Sequence, residues 1–380
     1  MRIIDLFLTM ALVMGCACMA RAGEDTEIDW NKARDLLQRS QRGEKLEPAD
    51  QAYLDLAKQI RAQQHGNGGD ASGKAPDAPA PKATTGLIPL TDLGAEKYKG
   101  EEGGLYGGGN NEPPAEQRAA AEKALKLVRP LDKEGKPDDA GKVVLLAVGM
   151  SNTTMEFSRF KELADADKEK APQLVIVDGA QGGKAAAQWA AKDSPVWETV
   201  SQRLKTAGVT SAQVQVAWIK QAEIQPRGSL QEHGKKQQED LTVIVNLLKT
   251  RFANLRVVYL SSRIYAGYAT SNLNPEPFAY EGAFVVRWLI QAQMKADPKL
   301  NFDSDKGAVT APVLLWGPYL WADGTTPRKG DELIWERKDL SDKDGTHPSQ
   351  SGREKVAQLL LKFFKTNALA KSWYLAPAAP

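Results

Sequence analysis

Five short aliphatic runs, each followed by a longer stretch of helical periodicity, decide which fold class this chain can adopt. Runs rich in Val, Leu and Ile are typical of strands buried on both faces, and helical crossovers between such strands produce a parallel sheet. We predict strands at 143–149, 173–178, 213–219, 256–260 and 312–316. We predict helices near 153–165, 195–207, 235–252, 279–296 and 350–365. The chain is therefore expected to fold as an α/β protein, a three-layer α/β/α sandwich around a five-stranded parallel sheet in the order 2-1-3-4-5.

The rest of the chain divides into segments of different composition. Residues 23–63 are polar with helical periodicity and are interrupted by Gly43, so we predict a small helical hairpin. The stretch 64–84 is rich in Gly, Ala, Pro and Lys and is expected to be a flexible linker. The α/β domain is then expected to cover 85–372, with a short tail at 373–380.

The first residues resemble a secretory signal peptide, expected to cover 1–22. Arg2 precedes an apolar run at 3–14, and Ala-Arg-Ala at 20–22 offers a cleavage site. The apolar run is too short to span a bilayer, so we expect an exported protein, periplasmic or extracellular, with no membrane span. The alternative is a lipoprotein signal, in which Cys16 would carry a lipid anchor. Both cysteines of the chain lie in this segment, so the processed chain is expected to form no disulfide.

Charge and motif content narrow the classes of partner. Lys and Arg number 50 against 48 Asp and Glu, and a net charge of +2 provides no basic field of the kind that nucleic-acid binders use. The Gly-rich stretch 103–109 lacks a following Lys-Ser or Lys-Thr, so no nucleotide-phosphate loop is expected there. No set of His, Cys or carboxylate residues has metal-ligand spacing. We therefore expect no nucleic acid, no metal and no cofactor.

The first candidate for chemistry is Ser151, in the sequence Gly-Met-Ser-Asn between the first predicted strand and a helix. A serine there lies at the carboxyl end of a strand and at a helix N-terminus, whose free N–H groups favour a developing oxyanion. Serine is also favoured as a plain helix cap, so the position alone leaves both roles open.

A base for such a serine is expected in Asp344-Gly345-Thr346-His347, just before the last predicted helix. A carboxylate three residues before a histidine can accept a hydrogen bond from the ring Nδ1–H and leave Nε2 free as a general base. The other two histidines, His65 and His233, lie in the predicted linker and in a polar run. If Ser151 has a base, it is therefore expected to be His347.

Candidate oxyanion donors follow the second and third predicted strands. Gly182 and Gly183 come after the second strand, where a missing Cβ lets a backbone N–H approach a reacting carbonyl. Glycines there are also common turn residues. Gln221 follows the third strand, and its NH₂ group is either an oxyanion donor or a surface amide.

Taken in this order, these motifs resemble the sequence blocks of SGNH (GDSL-type) hydrolases over roughly residues 140–365. The resemblance implies the flavodoxin-like SGNH hydrolase fold and a serine esterase. Ser151 would be its nucleophile, and Asp344 and His347 would complete a catalytic triad.

The same resemblance implies an oxyanion hole made by the N–H groups of Ser151 and Gly183 and by the amide of Gln221. The glycine assignment is open by one residue, between Gly182 and Gly183. Two positions depart from the family pattern, since Met150 stands where the family usually has Asp and Gln221 where it usually has Asn. The aspartate is not a triad member, so its replacement leaves the nucleophile in place.

Two details resemble the sialate O-acetylesterase-like branch of the family. Its Trp-x-Gln-Gly-Glu motif is similar to Trp218–Glu223 with one extra residue, and its Gly-Gly pair is followed by a tryptophan as Gly183 is by Trp189. This similarity implies a carbohydrate acetylesterase, so the expected substrate is an O-acyl, preferably O-acetyl, ester on a carbohydrate.

Gly182 and three residues after the fourth and fifth strands are candidates for substrate binding. Arg263 would hold an acidic sugar or form a structural salt bridge, and Tyr319 and Trp321 would stack on a sugar ring. The sequence therefore favours an exported esterase acting on acylated carbohydrate. Two alternatives remain, a non-catalytic glycan-binding envelope protein on the same fold and an O-acyltransferase with the same triad.

Overall fold

The computed structural model describes residues 29–41, residues 44, 46, 47, 49–51, 53–55 and 57, and residues 80–376. The chain divides into two compact units, Met1–Pro76 and Asp77–Pro380. The predicted signal peptide, most of the predicted linker and the last four residues lie outside the described residues. The domain boundaries expected from the sequence stay predictions.

The described part of the first unit is helical. Helix α1 (Trp30–Gln41) buries Ala33 and Leu36, and the helical residues beyond it bury Leu54 and Ala57. The backbone N–H of Asp29 donates to the hydroxyl of Tyr53 at 2.8 Å, so the two helical stretches are connected by a hydrogen bond as well as by apolar contact.

The second unit is built around a five-stranded parallel sheet. A two-stranded antiparallel ribbon precedes it, formed by β1 (Lys97–Tyr98) and β2 (Glu101–Glu102). The sheet itself consists of β3 (Val143–Gly149), β4 (Leu174–Asp178), β5 (Val214–Lys220), β6 (Val257–Ser261) and β7 (Val313–Trp316). Their order is β4-β3-β5-β6-β7, which confirms the predicted order 2-1-3-4-5.

The helices of this unit are α2 (Ala115–Leu125), α3 (Ser151–Ala166), α4 (Ala186–Ala190), α5 (Pro195–Thr206), α6 (Leu230–Arg251), α7 (Phe278–Met294), α8 (Gln350–Thr366) and α9 (Lys371–Tyr374). Short 3₁₀ turns occupy Ser211–Gln213, Pro298–Leu300, Ser304–Lys306 and Arg337–Asp339. None of the helices in the described parts of the chain is long and apolar enough to cross a bilayer.

Two layers of helices cover the sheet, because right-handed crossovers that move in opposite directions along a sheet leave their helices on opposite faces. On one face α3 packs against α8, with Phe157 stacked on Trp218 of β5 and Phe364 in edge contact with Tyr259 of β6. On the other face α6 packs against α4 and α7. The predicted three-layer sandwich is therefore confirmed.

One helix begins earlier than the sequence analysis predicts. Helix α6 starts at Leu230 rather than near 235, because Ser229 and Glu232 form a capping box. The Ser229 hydroxyl accepts from the N–H of Glu232 at 3.3 Å, and the Glu232 carboxylate accepts from the N–H of Ser229 at 2.7 Å. The Ser-x-x-Glu signal was visible in the sequence and marks the true start of the helix.

Candidate active site

The parallel sheet brings the ends of three strands together at its carboxyl edge. Gly149, the last residue of β3, is the register partner of Lys220, the last residue of β5, and Lys220 in turn is the partner of Ser261 in β6. The segments that follow these strands therefore leave the sheet side by side. Ser151 is the first residue of α3, partly exposed, and begins one of these segments.

Ser151 and His347 are in hydrogen-bond contact although 196 positions separate them in the chain. The Oγ atom of Ser151 lies 2.7 Å from Nε2 of His347. On the far side of the ring, Nδ1 of His347 lies 2.6 Å from Oδ2 of Asp344. An ionised carboxylate only accepts hydrogen bonds, so Nδ1 is the protonated ring nitrogen and Nε2 presents its lone pair to the serine hydroxyl.

The Asp344 carboxylate is fixed by its own loop. Its Oδ1 atom accepts from the N–H groups of Thr346 at 2.9 Å and His347 at 3.0 Å. Burial acts to raise the pKa of Asp344, but these two N–H groups and the His347 ring outweigh it and bring that pKa below its usual value. The carboxylate is therefore ionised over the range in which an imidazole can act as a base.

Gly345 in the same loop cannot be another residue without rearrangement. Its φ is +59°, in the left-handed region, and a Cβ there would lie 1.9 Å from the carbonyl oxygen of Tyr268. The loop continues with a hydrogen bond of 2.7 Å from the N–H of Ser341 to the carbonyl of His347. Backbone contacts on both sides thus set the conformation that joins Asp344 to His347.

The glycine loop after β4 lies beside the serine. A Cβ at Gly182 would be 4.0 Å from Cβ of Ser151, whereas nothing lies within 4 Å of a Cβ at Gly183, whose φ is +73°. The carbonyl of Gly149 accepts from the N–H of Gln181 at 2.9 Å and from the indole of Trp189 at 3.2 Å. These two bonds tie the glycine loop to the turn that carries Ser151.

Gln221 leaves β5 at the same edge and is almost fully buried, with 3% of its surface exposed. Its carbonyl accepts from Nε2 of Gln237 at 3.2 Å. Its own amide nitrogen and oxygen have no hydrogen-bond partner among the described residues. An unpaired buried amide is costly to a protein, by roughly 1–3 kcal/mol.

Three expected substrate-binding residues lie in the interior. Arg263 is buried and donates through Nη2 to the carbonyl of Thr346 at 3.3 Å, so the structure places it behind the His347 loop and not on a cleft wall. Tyr319 is buried, and its hydroxyl accepts from the N–H of Leu90 at 3.1 Å. Trp321 is 0% exposed and donates to Glu276 at 2.8 Å. Rings that are 5% and 0% exposed leave no face on which a sugar could stack, so the expected stacking by Tyr319 and Trp321 is wrong.

The remaining described histidine is also placed in the interior. His233 is buried on α6, with Nε2 at 2.5 Å from Oε2 of Glu281, and the same carboxylate accepts from Tyr98 and Lys99 at 2.7 Å. His65 lies outside the described residues. Of the two described histidines, His347 alone contacts Ser151.

Sequence reasoning missed three buried polar residues around the site. Asn152, next to the nucleophile candidate, donates to the carbonyl of Thr346 at 3.0 Å. Lys220 and Glu156 form a fully buried ion pair below Gln221. Asn152 follows Ser151 directly in the sequence, and this adjacency could have indicated a role at the site. Nothing in the sequence pairs Lys220 with Glu156.

The described residues offer no candidate metal centre. Within residues 80–376 and the described part of the first unit, no group of three or more His, Cys, Asp or Glu side chains could hold a metal ion.

Neither a protein-family model nor a curated protein matches the sequence. Solved structures that are similar to this chain include a Bacillus subtilis protein, at 12% identity and a TM-score of 0.35, with 62% of this chain and 60% of that chain covered. A "putative acylhydrolase" from Bacteroides fragilis is 13% identical, with a TM-score of 0.32 and coverage of 69% and 100%. The periplasmic domain of a lipopolysaccharide acetyltransferase from Salmonella ser. Paratyphi A is 10% identical, with a TM-score of 0.32 and coverage of 65% and 96%. The chain thus spans about three fifths of the length of the Bacillus subtilis protein.

Proposed function

We propose that this protein is a serine esterase of the SGNH type, with Ser151 as nucleophile, His347 as general base and Asp344 as the residue that orients it. The observation that carries the proposal is the continuous chain of contacts from Ser151 Oγ to His347 Nε2 at 2.7 Å and from His347 Nδ1 to Asp344 Oδ2 at 2.6 Å. A serine that only caps a helix does not need a histidine beside its hydroxyl or a carboxylate behind that histidine.

The proposed reaction proceeds through an acyl-enzyme. Ser151 Oγ bonds to the ester carbonyl carbon as its proton passes to His347 Nε2, and the carbonyl electron pair moves onto oxygen. When the oxyanion collapses, the bond to the alkoxy oxygen breaks and His347 protonates the departing alcohol. A water molecule then gives a proton to His347 and attacks the acyl carbon. The bond from that carbon to Ser151 Oγ breaks, the acid is released, and His347 returns the proton to Oγ.

The oxyanion would be held by the N–H of Ser151, the N–H of Gly183 and the amide of Gln221. The N–H groups of a first helical turn have no partner within the helix, and Ser151 begins α3. The buried, unpaired amide of Gln221 supports its assignment as the third donor. A Cβ at Gly182 would lie 4.0 Å from Cβ of Ser151, closer than a Cβ at Gly183, so Gly182 is the alternative donor.

An O-acetyl group on a carbohydrate is the proposed substrate, and export to the periplasm or beyond is the proposed localisation. The substrate rests on the resemblance of the Gln221 and Trp189 motifs to the carbohydrate esterase branch, because Tyr319 and Trp321 are in the core. The signal peptide and the lipid-anchor alternative at Cys16 lie outside the described residues.

The proposal is tested by hydrolysis of p-nitrophenyl acetate and of acetylated xylan by the full chain, with Ser151→Ala and His347→Ala. Ser158→Ala is the matched control, since Ser158 lies on the same helix and its hydroxyl donates to Asp178. We expect the first two variants to lose nearly all of the rate, and the control to retain it.

Adding a free sugar acceptor separates hydrolysis from acyl transfer. A transferase would move acetyl onto the sugar faster than onto water. A folded wild-type protein that is inert on both esters but binds acetylated xylan, with binding that survives Ser151→Ala, would replace the esterase proposal by glycan binding without turnover.

A further inference from the structure

The residue after Ser151 is joined to the residue before His347 by a hydrogen bond of its own. Nδ2 of Asn152 donates to the backbone carbonyl of Thr346 at 3.0 Å. The neighbouring contact, from Ser151 Oγ to His347 Nε2, measures 2.7 Å. Two short contacts therefore connect the same two segments. The contact of Ser151 with His347 joins the two side chains proposed to react, and the contact of Asn152 with Thr346 joins a side chain to a backbone carbonyl that takes no part in the reaction.

The hydrogen bond from Asn152 to Thr346 is buried. Asn152 is 1% exposed and Thr346 is 0% exposed, so neither the amide nor the carbonyl has access to bulk water as an alternative partner. A buried amide donor without an acceptor costs roughly 1–3 kcal/mol, so the Asn152 amide stays paired with this carbonyl. The bond holds the Thr346 backbone, directly before His347, against the side chain of Asn152, directly after Ser151.

A second buried donor meets the same oxygen. Nη2 of Arg263, which follows β6, lies 3.3 Å from the Thr346 carbonyl. The N–H of Thr270 donates to the carbonyl of Asp344 at 3.0 Å. The His347 loop is thus held by the segment after β6 from one side and by α3 from the other, and the Asn152 bond is the shorter of the two on Thr346.

We propose that Asn152 is a positioning residue that holds the Thr346 carbonyl and thereby keeps His347 Nε2 at hydrogen-bond distance from Ser151. This rests on the proposed esterase function. Asn152 touches no reacting atom in this role, and its effect on the reaction passes through the His347 loop. A displacement of about 1 Å between reacting groups can cost on the order of 100-fold in rate, so one bond at this place is enough to matter.

The test compares Asn152→Ala and Asn152→Leu with wild type and with Asn246→Ala. Leucine keeps the branched shape of asparagine, is somewhat larger, and removes both the amide donor and the amide acceptor. Asn246 is the matched control, because its Nδ2 also donates to backbone carbonyls, of Lys299 at 2.8 Å and Thr310 at 3.0 Å, at the other edge of the sheet. We expect both Asn152 variants to lower kcat on p-nitrophenyl acetate by about 10- to 100-fold with KM within about twofold. Asn246→Ala is expected to keep wild-type kcat.

Spectra of the histidine rings give a readout that does not depend on turnover. The chain contains three histidines, so ¹⁵N-histidine labelling of the full protein gives three imidazole signal sets. The His347 signals are expected to broaden or shift in Asn152→Ala and Asn152→Leu and to stay unchanged in Asn246→Ala.

The two proposals fail in different ways. If wild type is inert on esters, the esterase proposal fails, and the His347 spectra still decide whether Asn152 orders that loop. If wild type is active and both Asn152 variants keep its kcat and its His347 signals, the positioning role is wrong. If kcat falls but Asn246→Ala shows the same fall, the effect is loss of stability and the positioning role is again wrong.

Discussion

Lys220 and Glu156 form an ion pair that is completely excluded from solvent, with Nζ of Lys220 at 2.6 Å from Oε1 of Glu156. Lys220 ends β5 directly before Gln221 and is the register partner of Gly149, while Glu156 lies on α3. Burial lowers the pKa of Lys220 to about 8 and raises the pKa of Glu156. The pair lies beneath the candidate active site and joins the strand that carries Gln221 to the helix that carries Ser151.

Removing one member of this pair should destabilise the protein strongly. Lys220→Met leaves the Glu156 carboxylate buried without a partner, and we expect a loss of about 3–5 kcal/mol in the free energy of unfolding. The double variant Lys220→Met/Glu156→Met should recover most of that loss, because two apolar side chains of similar length need no compensation. Urea unfolding measures both. Equal losses in the single and double variants would show that the charges do not act as a pair.

Asp344→Asn should leave the loop folded and remove most of the activity. The amide can present its NH₂ group to the ring and favour the tautomer with the proton on Nε2, which cannot take a proton from Ser151. We expect kcat on p-nitrophenyl acetate to fall by about 10³–10⁴-fold. Asn301 lies on another loop, where its side chain donates to the carbonyl of Asp303. As a control for general disturbance of a loop, Asn301→Ala should leave kcat unchanged. Retention of the wild-type rate by Asp344→Asn would remove Asp344 from the proposed mechanism.

The same carboxylate should make part of the stability depend on pH. Because the pKa of Asp344 is lowered below its ordinary 3.8 in the folded protein, its ionised form contributes stability above that value. The contribution is lost as pH falls through the lower, folded-state pKa. The difference in unfolding free energy between wild type and Asp344→Asn, measured by urea titration, should therefore shrink as pH falls below about 4. A difference that grows as pH falls below about 4 would contradict this assignment.

Gly183 and Gly182 should respond differently to alanine. Gly183 has a φ of +73°, so Gly183→Ala should cost about 1–2 kcal/mol of stability through backbone strain and lower kcat by shifting the proposed N–H donor. At Gly182 a Cβ meets Ser151 only at ordinary contact distance, so Gly182→Ala should be well tolerated in stability. Thermal unfolding and kcat of the two variants separate them. A larger loss of kcat in Gly182→Ala would assign the oxyanion donor to Gly182.

The fold could be predicted from the sequence because aliphatic runs indicate strands that are buried on both faces of a sheet. The strand predicted at 143–149 is found at Val143–Gly149, and the strand order follows from the alternation of strands and helices with right-handed crossovers. The sequence also indicated Ser151, His347 and Asp344 as the group that the fold brings into contact.

Side-chain burial beyond the strands could not be predicted in the same way. Trp321 and Arg263 follow strand ends, where exposure and burial have the same local sequence pattern, and both proved to be buried. The bond from Asn152 to Thr346 joins positions 194 residues apart and depends on how two loops meet at the sheet edge. Local periodicity carries no information about such a contact.

Covalent labelling with a fluorophosphonate tests the central claim most directly, because the probe reacts with a serine that a neighbouring base activates. Mass spectrometry of the labelled full-length protein should find one adduct, on the peptide that contains Ser151. Ser151→Ala should carry none, His347→Ala should label far more slowly, and Ser158→Ala should label like wild type. A folded wild-type protein that takes up no probe, or takes it up equally in Ser151→Ala, would contradict the assignment of Ser151 as the nucleophile.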